Sequence, residues 1–523
     1  MSRIGKDRFR RRGAVFIALG LALLWAGASP AVTTLEGYSE IMTELRSSGG
    51  GDTTWDLSNP KLYAELRLKS SPWSGVDSFL KVSAESNRWT DDLKDTKFFF
   101  REAHMRYRAE HVEAHVFSGQ DRFWLNEPLL EIVNTGVVKH DDYGPRAQGV
   151  RVDFWGLPGF TFAGFVSERS DYYSSGFSQL SDDEQEGFPG STSGDTLDSS
   201  TDDYRGFRAT QNVNDNVYVG ATYGRKDYSS SAFKGETESF DEVAAVDAEL
   251  AMGDIVPFLQ QFGRVTWVSE FGVNTSGYLW HDEDPARNGF KTELRDVRFG
   301  ALSFKGSYEE YGADFYTIGL ASGDKNNLND YSQYYVESHY RVPAKAINLR
   351  GWLRHAEPNH PGLTSYSNSV GTIDEWGSEA YLEFVNGFTG KAEYKVYEDQ
   401  NGTWPNLFLE ATGENRLVKL RAQYRIKDID SPYELTAYGF EANVNLSDDW
   451  KFYARVMNVD EKTESRQTAF AQLRYMGWGG AEFFVEFGNP DHSNDLVNDG
   501  DFVQHGSGNT TEQVFKAFLK IYY

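Results

Sequence analysis

The chain has 523 residues, with 52 Lys and Arg against 78 Asp and Glu, a net charge of −26 that opposes binding to phosphate backbones, so no nucleic-acid partner is expected. Cysteine is absent, which removes disulfides, thiolate metal sites, iron–sulfur clusters, covalent haem and cysteine nucleophiles. Only 39% of residues are hydrophobic, yet 36 Phe, 29 Tyr and 13 Trp supply ample apolar surface, which excludes a disordered chain.

Arg3, Lys6, Arg8, Arg10, Arg11 and Arg12 precede an apolar stretch from Ala14 to Ala28, and Ala26 and Ala28 form an A-x-A-like cleavage site. This is the three-part layout of a secretory signal peptide over residues 1–28, with cleavage near Ala28 or Ala31. Arg11-Arg12-Gly13-Ala14 lacks the downstream pattern of a twin-arginine signal, so general secretion is expected. Losing residues 1–28 removes six basic residues and Asp7, which takes the charge from −26 to −31. Beyond this segment no run of about 18 apolar residues occurs, which excludes a helical membrane protein.

From there on the chain alternates. Leu62, Ala64, Leu66 and Leu68 interleave with Lys61, Tyr63, Glu65, Arg67 and Lys69. Ala103, Met105, Tyr107 and Ala109 interleave with Glu102, His104, Arg106, Arg108 and Glu110. Val418, Leu420, Ala422, Tyr424 and Ile426 do the same with Lys419, Arg421, Gln423, Arg425 and Lys427, and Phe440, Ala442, Val444 and Leu446 with Glu441, Asn443 and Asn445. Period two means strands with one apolar and one wet face. Runs of about ten or more residues match a tilted strand crossing a bilayer rather than the shorter strands of a soluble sandwich. Trp55, Tyr63, Trp73, Trp89, Trp155, Trp280, Trp376, Trp450 and Trp478 are candidates for the interfacial girdle.

A spanning sheet must close, because lipid offers no partner for an unpaired backbone group. The reading is therefore an all-β, transmembrane, antiparallel up-and-down β-barrel over residues 38–523, with roughly 18–22 strands. Phe515, Ala517, Leu519, Ile521 and Tyr523 alternate to the last residue, the kind of aromatic-ended strand that the barrel assembly machinery reads. The expected location is the outer membrane of a Gram-negative cell, with lipid and lipopolysaccharide as surroundings.

Asn214-Asp215-Asn216, Ser447-Asp448-Asp449 and Gly477-Trp478-Gly479 read as tight hairpin turns. Ser167–Asp203, Pro285–Thr292, Ala321–Tyr331, Pro358–Ile373 and Gly488–Thr511 read as long polar loops. Between Arg169 and Arg205 there is no Lys or Arg, which suits an extracellular loop. Counting back from Tyr523 places the 400–414 segment on the periplasmic side, where a long loop is out of place: either it hides a strand or it is an exception.

Inward-facing cations are the main clue to cargo. Arg67, Arg106, Arg108 and Arg151 come from early strands; Lys391, Lys395, Lys419, Arg421, Arg425, Lys427, Arg455 and Arg474 come from late ones. Rows of Arg and Lys along a pore focus the field on anions, so these twelve are the expected substrate path. Glu65, Glu102, Glu110, Glu113, Asp153, Glu393, Glu482 and Glu486 face inward too, so a ladder of cross-strand pairs is the competing reading. His111, Glu113 and His115 share one face of a strand, but the two histidines lie about 13 Å apart, too far to share one ion. Asp182, Asp183, Glu184 and Glu186, and Asp282, Glu283 and Asp284, could hold Ca²⁺ but read better as solvated loop. Asp324–Leu328 has no glycine at the sixth position that an EF-hand needs. No H-E-x-x-H, G-x-S-x-G or Walker A pattern occurs, so neither an enzyme, a metal site nor a cofactor is expected.

Two stretches resemble alginate-export-type outer-membrane porins: Gly119-Gln120-Asp121-Arg122-Phe123-Trp124, followed by Gly149-Val150-Arg151-Val152, and Ala321-Ser322-Gly323-Asp324-Lys325-Asn326 after a strand Phe315–Leu320. Where many members carry an F-D-P-L-F-P-like stretch, Tyr331-Ser332-Gln333-Tyr334-Tyr335 stands instead. The resemblance implies an 18-strand-type monomeric pore with a charged lumen that passes anionic sugars or other small solutes.

The function expected is passive diffusion of small hydrophilic, anionic or sugar-like solutes, with Ser167–Asp203 as the segment that folds inward. Too little chain precedes the first strand for a plug domain of about 100 residues. The alternatives are a barrel enzyme of lipase or protease type and a scaffold barrel that encloses a partner protein.

Overall fold

Alternation over ten or more residues gives each strand a lipid face and a lumenal face, and a sheet built of such strands is satisfied only when its two edges meet. A computed structural model describes residues 32–47, 55–86, 96–118, 125–133, 146–170, 201–227, 240–276, 287–313, 315, 330–342, 346–359, 371–384, 387–462, 465–489 and 513–523. Residues 1–28, expected to be a signal peptide, lie outside them.

The described residues form one antiparallel sheet of 24 strands. They are β1 (Val32–Ser47), β2 (Trp55–Trp73), β3 (Val76–Ser86), β4 (Thr96–Arg108), β5 (Val112–Ser118), β6 (Arg146–Leu157), β7 (Phe160–Ser170) and β8 (Thr201–Asn214). Next come β9 (Val217–Asp227), β10 (Phe240–Ala251), β11 (Thr266–Ser276), β12 (Asn288–Phe299), β13 (Leu302–Tyr311), β14 (Tyr331–Val342), β15 (Ile347–Pro358) and β16 (Ile373–Glu383). The last are β17 (Phe388–Asp399), β18 (Gly402–Glu414), β19 (Val418–Lys427), β20 (Leu435–Asn445), β21 (Trp450–Glu461), β22 (Ser465–Trp478), β23 (Ala481–Gly488) and β24 (Gln513–Tyr522).

Each strand pairs with the next in sequence, and β1 pairs with β24 from Tyr38↔Tyr522 to Ser47↔Gln513. Two further backbone bonds lock the seam: Gly37 N–H to the Tyr523 carbonyl at 2.8 Å and Tyr523 N–H to the Gly37 carbonyl at 3.0 Å. The barrel is closed. Following the registers once around returns to β1 displaced by about 30 residues, which for 24 strands gives a tilt of about 40° and a backbone diameter of about 48 Å.

The count exceeds the expected 18–22, and also the 18 that the resemblance implied. β18 accounts for part of the excess: Gly402–Glu414 is a strand, not a periplasmic loop. It contains Pro405 and turns Phe408 toward the lumen, opposite Glu393 and Arg425, so the apolar-out rule fails along it. β5 and β23, at 7 and 8 residues, are shorter than the run length that marks a spanning strand. Conversely Phe315 is not in a strand, since β13 ends at Tyr311.

Short connections gather at one rim. Gly75, between β2 and β3, and Gly480, between β22 and β23, turn the chain there at φ +80° and +81°, which favours glycine. Asn214–Asn216 and Ser447–Asp449 are the expected turns, held by Asn214 Oδ1 and Ser447 Oγ accepting from backbone amides two residues on. The Gly477–Gly479 turn sits slightly later, because β22 runs on through Trp478. The start of β1 and the end of β24 lie at the same rim, which makes it the periplasmic one. One link there is longer: a helical turn Met252–Ile255 and a 3-10 turn Pro257–Phe262 join β10 to β11.

The outer face is apolar. Val150 and Val152 are exposed on either side of inward Arg151, and Val166, Phe207, Val246, Phe271 and Leu294 continue the band on neighbouring strands. Exposed Trp73, Trp155, Trp450 and Trp478 ring its periplasmic edge and Trp376 stands nearer the other edge, as expected of a girdle. Tyr63 does not belong to it. Its hydroxyl donates to Glu65 at 2.9 Å and its ring packs on Tyr38, both lumenal, because Tyr63 shares the parity of Glu65 and Arg67. The side chains of Trp55, Trp89 and Trp280 lie outside the described residues.

A charge on the lipid face should be costly. Val152→Arg, at mid-strand in β6, should destabilise the barrel by about 2–4 kcal/mol in urea titrations of the lipid-reconstituted protein. A change under half a kcal/mol would contradict this assignment of faces.

Candidate pore and its lumenal lining

Register places all twelve expected cations on the inner face. Arg151, for example, stands opposite Phe165 of β7 and His115 of β5, both buried inside the barrel. At least eight of the twelve carry a carboxylate partner. Arg67 meets Glu65 at 2.6 Å, Arg106 meets Asp77 at 2.8 Å, Arg108 meets Glu113 at 2.5 Å and Arg151 meets Asp153 at 2.7 Å. Lys391 bridges Glu379 and Glu393 at 3.0 and 3.1 Å, Arg421 meets Glu441 at 2.8 Å, Arg474 meets Glu482 at 2.7 Å and Lys419 lies 3.8 Å from Glu414. Over most of the wall the ladder of pairs anticipated as the competing reading is present.

The wall is nevertheless wet. The side chains of Arg108, Lys69 and Arg67 keep 58%, 50% and 44% of their exposure although they face inward. Arg425 and Arg455 are buried in the wall, and Arg425 holds its guanidinium 4.8 Å over the Phe408 ring. Lys395, Arg425 and Lys427 line a single recess.

The wall from β5 to β12 is dry in part. Phe117, Phe165, Tyr204, Val243 and Ala245 point inward from β5, β7, β8 and β10, and Leu125, Leu130, Ile132, Val133 and Phe315 cover them. Leu125–Val133, from the β5–β6 connection, is thus a segment folded against the inside of the barrel. Buried Glu270 of β11 anchors it: Oε2 accepts the amides of Leu129 at 2.9 Å and Leu130 at 2.8 Å. Beneath it Arg208 and Asp247 form a buried pair at 2.6 and 2.9 Å, with Thr222 accepting from Arg208 at 2.7 Å. Glycines make room: a Cβ on inward Gly289 would come within 2.6 Å of the Phe315 ring, and one on Gly272 within 3.1 Å of Leu130.

Sequence reasoning missed this segment, which expected Ser167–Asp203 inside. Residues 171–200 lie outside the described ones; the described inward segment is Leu125–Val133. A signal was there: Gly206, Gly220, Gly224, Gly272 and Gly289 fall on inward positions of four strands between β8 and β12. A wall without side chains is a wall made to be covered.

Glu127 lies in the inward segment itself. Its Oε1 accepts the Val133 amide at 3.1 Å, and burial, with neighbouring Glu270 adding to it, pushes its carboxyl up to about 8.

His111, Glu113 and His115 are not brought together. His111 precedes β5 beside Glu110, Glu113 pairs with Arg108, and His115 stacks edge-on against His104 at 5.0 Å. The acidic runs Asp182–Glu186 and Asp282–Asp284, the Asp324–Leu328 loop, and the stretches Gly119–Trp124 and Ala321–Asn326 lie outside the described residues; Gly149–Val152 is part of β6.

No protein-family model matches the chain, and no curated protein matches it. Among solved structures it is similar to a ferric enterobactin receptor mutant from Pseudomonas aeruginosa, at 8% identity over 94% of this chain and 80% of that one, TM-score 0.42. It is similar to the P pilus usher translocation pore at 8% identity, covering 94% and 99%, TM-score 0.42. It is also similar to a BenF-like porin from Pseudomonas fluorescens at 12% identity, covering 73% and 98%, TM-score 0.39. The barrel's own construction fixes its place: a closed 24-stranded sheet with an apolar exterior and charged interior is a protein of the bacterial outer membrane.

Two outcomes follow for the inward segment. Glu270→Ala leaves two buried amides without an acceptor and should loosen the segment by about 2–4 kcal/mol, read as faster amide exchange at Leu129 and Leu130. Glu127 sits above its ordinary carboxylate value of 4.5, so its contribution is complete below that pH and is lost as pH rises through about 8. Exchange at Val133, corrected for intrinsic rate, should accelerate between pH 6 and pH 9 by clearly more than in Glu127→Gln; equal profiles would exclude Glu127 as the cause.

Proposed function

We propose that the protein is a passive outer-membrane channel for small hydrophilic solutes, with a preference for anionic or sugar-like ones. The observation that carries this reading is the half-exposed charged lining of the inner wall: long Arg and Lys side chains that face inward still reach solvent. Solutes would pass along the paired wall, where Arg67, Arg106, Arg108, Arg151, Lys391, Lys419, Arg421 and Arg474 hold counter-ions that can be exchanged for a carboxylated solute. The inward segment Leu125–Val133 would narrow the path from the other side. In this reading Tyr523 and its strand serve recognition by the barrel assembly machinery, and lipopolysaccharide surrounds the outer rim.

A second reading is favoured by size. A backbone diameter of about 48 Å is wide for a small-solute pore and suits a barrel that encloses a partner. The resemblance to alginate-export-type porins is a third source of expectation for anionic sugars, and it carries the least weight because the strand count differs.

Swelling of sealed liposomes separates the first two readings. The purified barrel should admit galactose and galacturonate with rates that fall as solute size grows. Vesicles that contain folded barrel yet do not swell would overturn the channel and favour the enclosing scaffold.

A further inference from the structure

At the outer end of β16–β19 the lumenal wall holds a recess of about 360 Å³, the scale at which small-ligand sites begin. Lys395, Arg425 and Lys427 supply three positive charges to it, and Tyr397, Trp404 and Asn406 complete the lining. Elsewhere on the inner wall most cations are matched by carboxylates. Here, among the described residues, neither Lys395 nor Lys427 has a carboxylate within 4.0 Å of its ammonium. Two acids border the recess, but Glu375 is drawn aside, accepting from Trp352 Nε1 at 3.0 Å and facing Arg354 at 4.0 Å. That leaves Asp428 as the acid that borders Lys395 and Lys427 in the recess.

The aromatic side is built rather than incidental. Trp404 is tethered at its indole nitrogen by Asp399 Oδ1 at 3.3 Å and backed by Tyr433 at 6.1 Å between centroids. Asn406 donates to the Trp404 carbonyl at 2.9 Å, fixing the local backbone. Arg425 is held over Phe408. A tethered aromatic wall beside two ammonium groups suits a flat or pyranose ring that carries a negative charge. The residual charge is small, which favours one carboxylate over a polyanion such as a polyphosphate.

We propose that this recess is a binding site for a ring-borne monocarboxylate, a sugar acid or an aromatic acid, at the outer mouth of the lumen. The carboxylate meets Lys395 and Lys427, Arg425 contributes field from behind, and the ring lies against Trp404. This deepens the channel reading, on which it rests for its purpose, by giving the path a first stop for its solute.

The test is calorimetric titration of the whole barrel in detergent with galacturonate, benzoate and uncharged galactose. One of the acids should bind at least about tenfold more tightly than galactose, and the stronger of the two identifies the source. Lys395→Gln combined with Lys427→Gln should weaken that acid about tenfold or more, and Trp404→Ala should weaken it separately, with heat-modifiable migration in gels confirming that each variant is folded. Equal binding of acid and galactose, or an unchanged affinity in the folded double variant, would overturn the site. Binding without liposome swelling would overturn the channel alone, and swelling without binding would overturn the site alone.

Discussion

Closure of the sheet is the constraint on which everything else depends. Inside hydrocarbon an unpaired amide or carbonyl costs several kcal/mol, so β1 and β24 must find each other across the full length of the chain. The seam runs from Tyr38↔Tyr522 to Ser47↔Gln513 and is finished by the reciprocal Gly37–Tyr523 bonds. Once the seam is made, parity is settled for every strand, and with it which side chains see lipid and which see the lumen. The apolar band, the girdle and the charged wall are consequences of that one pairing.

Twenty-four strands then create a second problem, which is width. A lumen of this size cannot be filled by wall side chains alone. The two halves of the wall respond differently. From β5 to β12 inward glycines and small residues leave a bare surface that Leu125–Val133 and Phe315 cover, with Glu270 and the Arg208–Asp247 pair beneath. From β16 to β24 the wall keeps long side chains, and their charges are balanced across neighbouring strands, as in Arg421–Glu441 and Arg474–Glu482. A dry, covered stretch and a charged, paired stretch thus divide the wall between them.

Much of this was legible in the residues. Period-two alternation identified the barrel and the inner-face position of Arg67, Arg151, Lys391, Arg425 and their companions, because parity is a local property of a strand. The strand total was not, since β18 places Phe408 inward and holds a proline, and β5 and β23 are too short to announce themselves. Tyr63 was assigned to lipid because aromatics favour the interface; its parity with Glu65 was the better guide. The partners of the cations were legible only in kind: sequence shows that acids share the inner face, but which acid meets which base depends on register. The inward segment was missed, because covering a glycine-paved wall is a long-range event and the glycines that signal it are spread over four separate strands.

In the channel reading the lumen conducts. Single-channel recording in planar bilayers, with reversal potential measured across a salt gradient, tests it most directly. The expected result is stable open channels whose reversal potential shows anion preference, moving toward cation preference when Lys395 and Lys427 are neutralised. Folded barrels that insert and never conduct would contradict it.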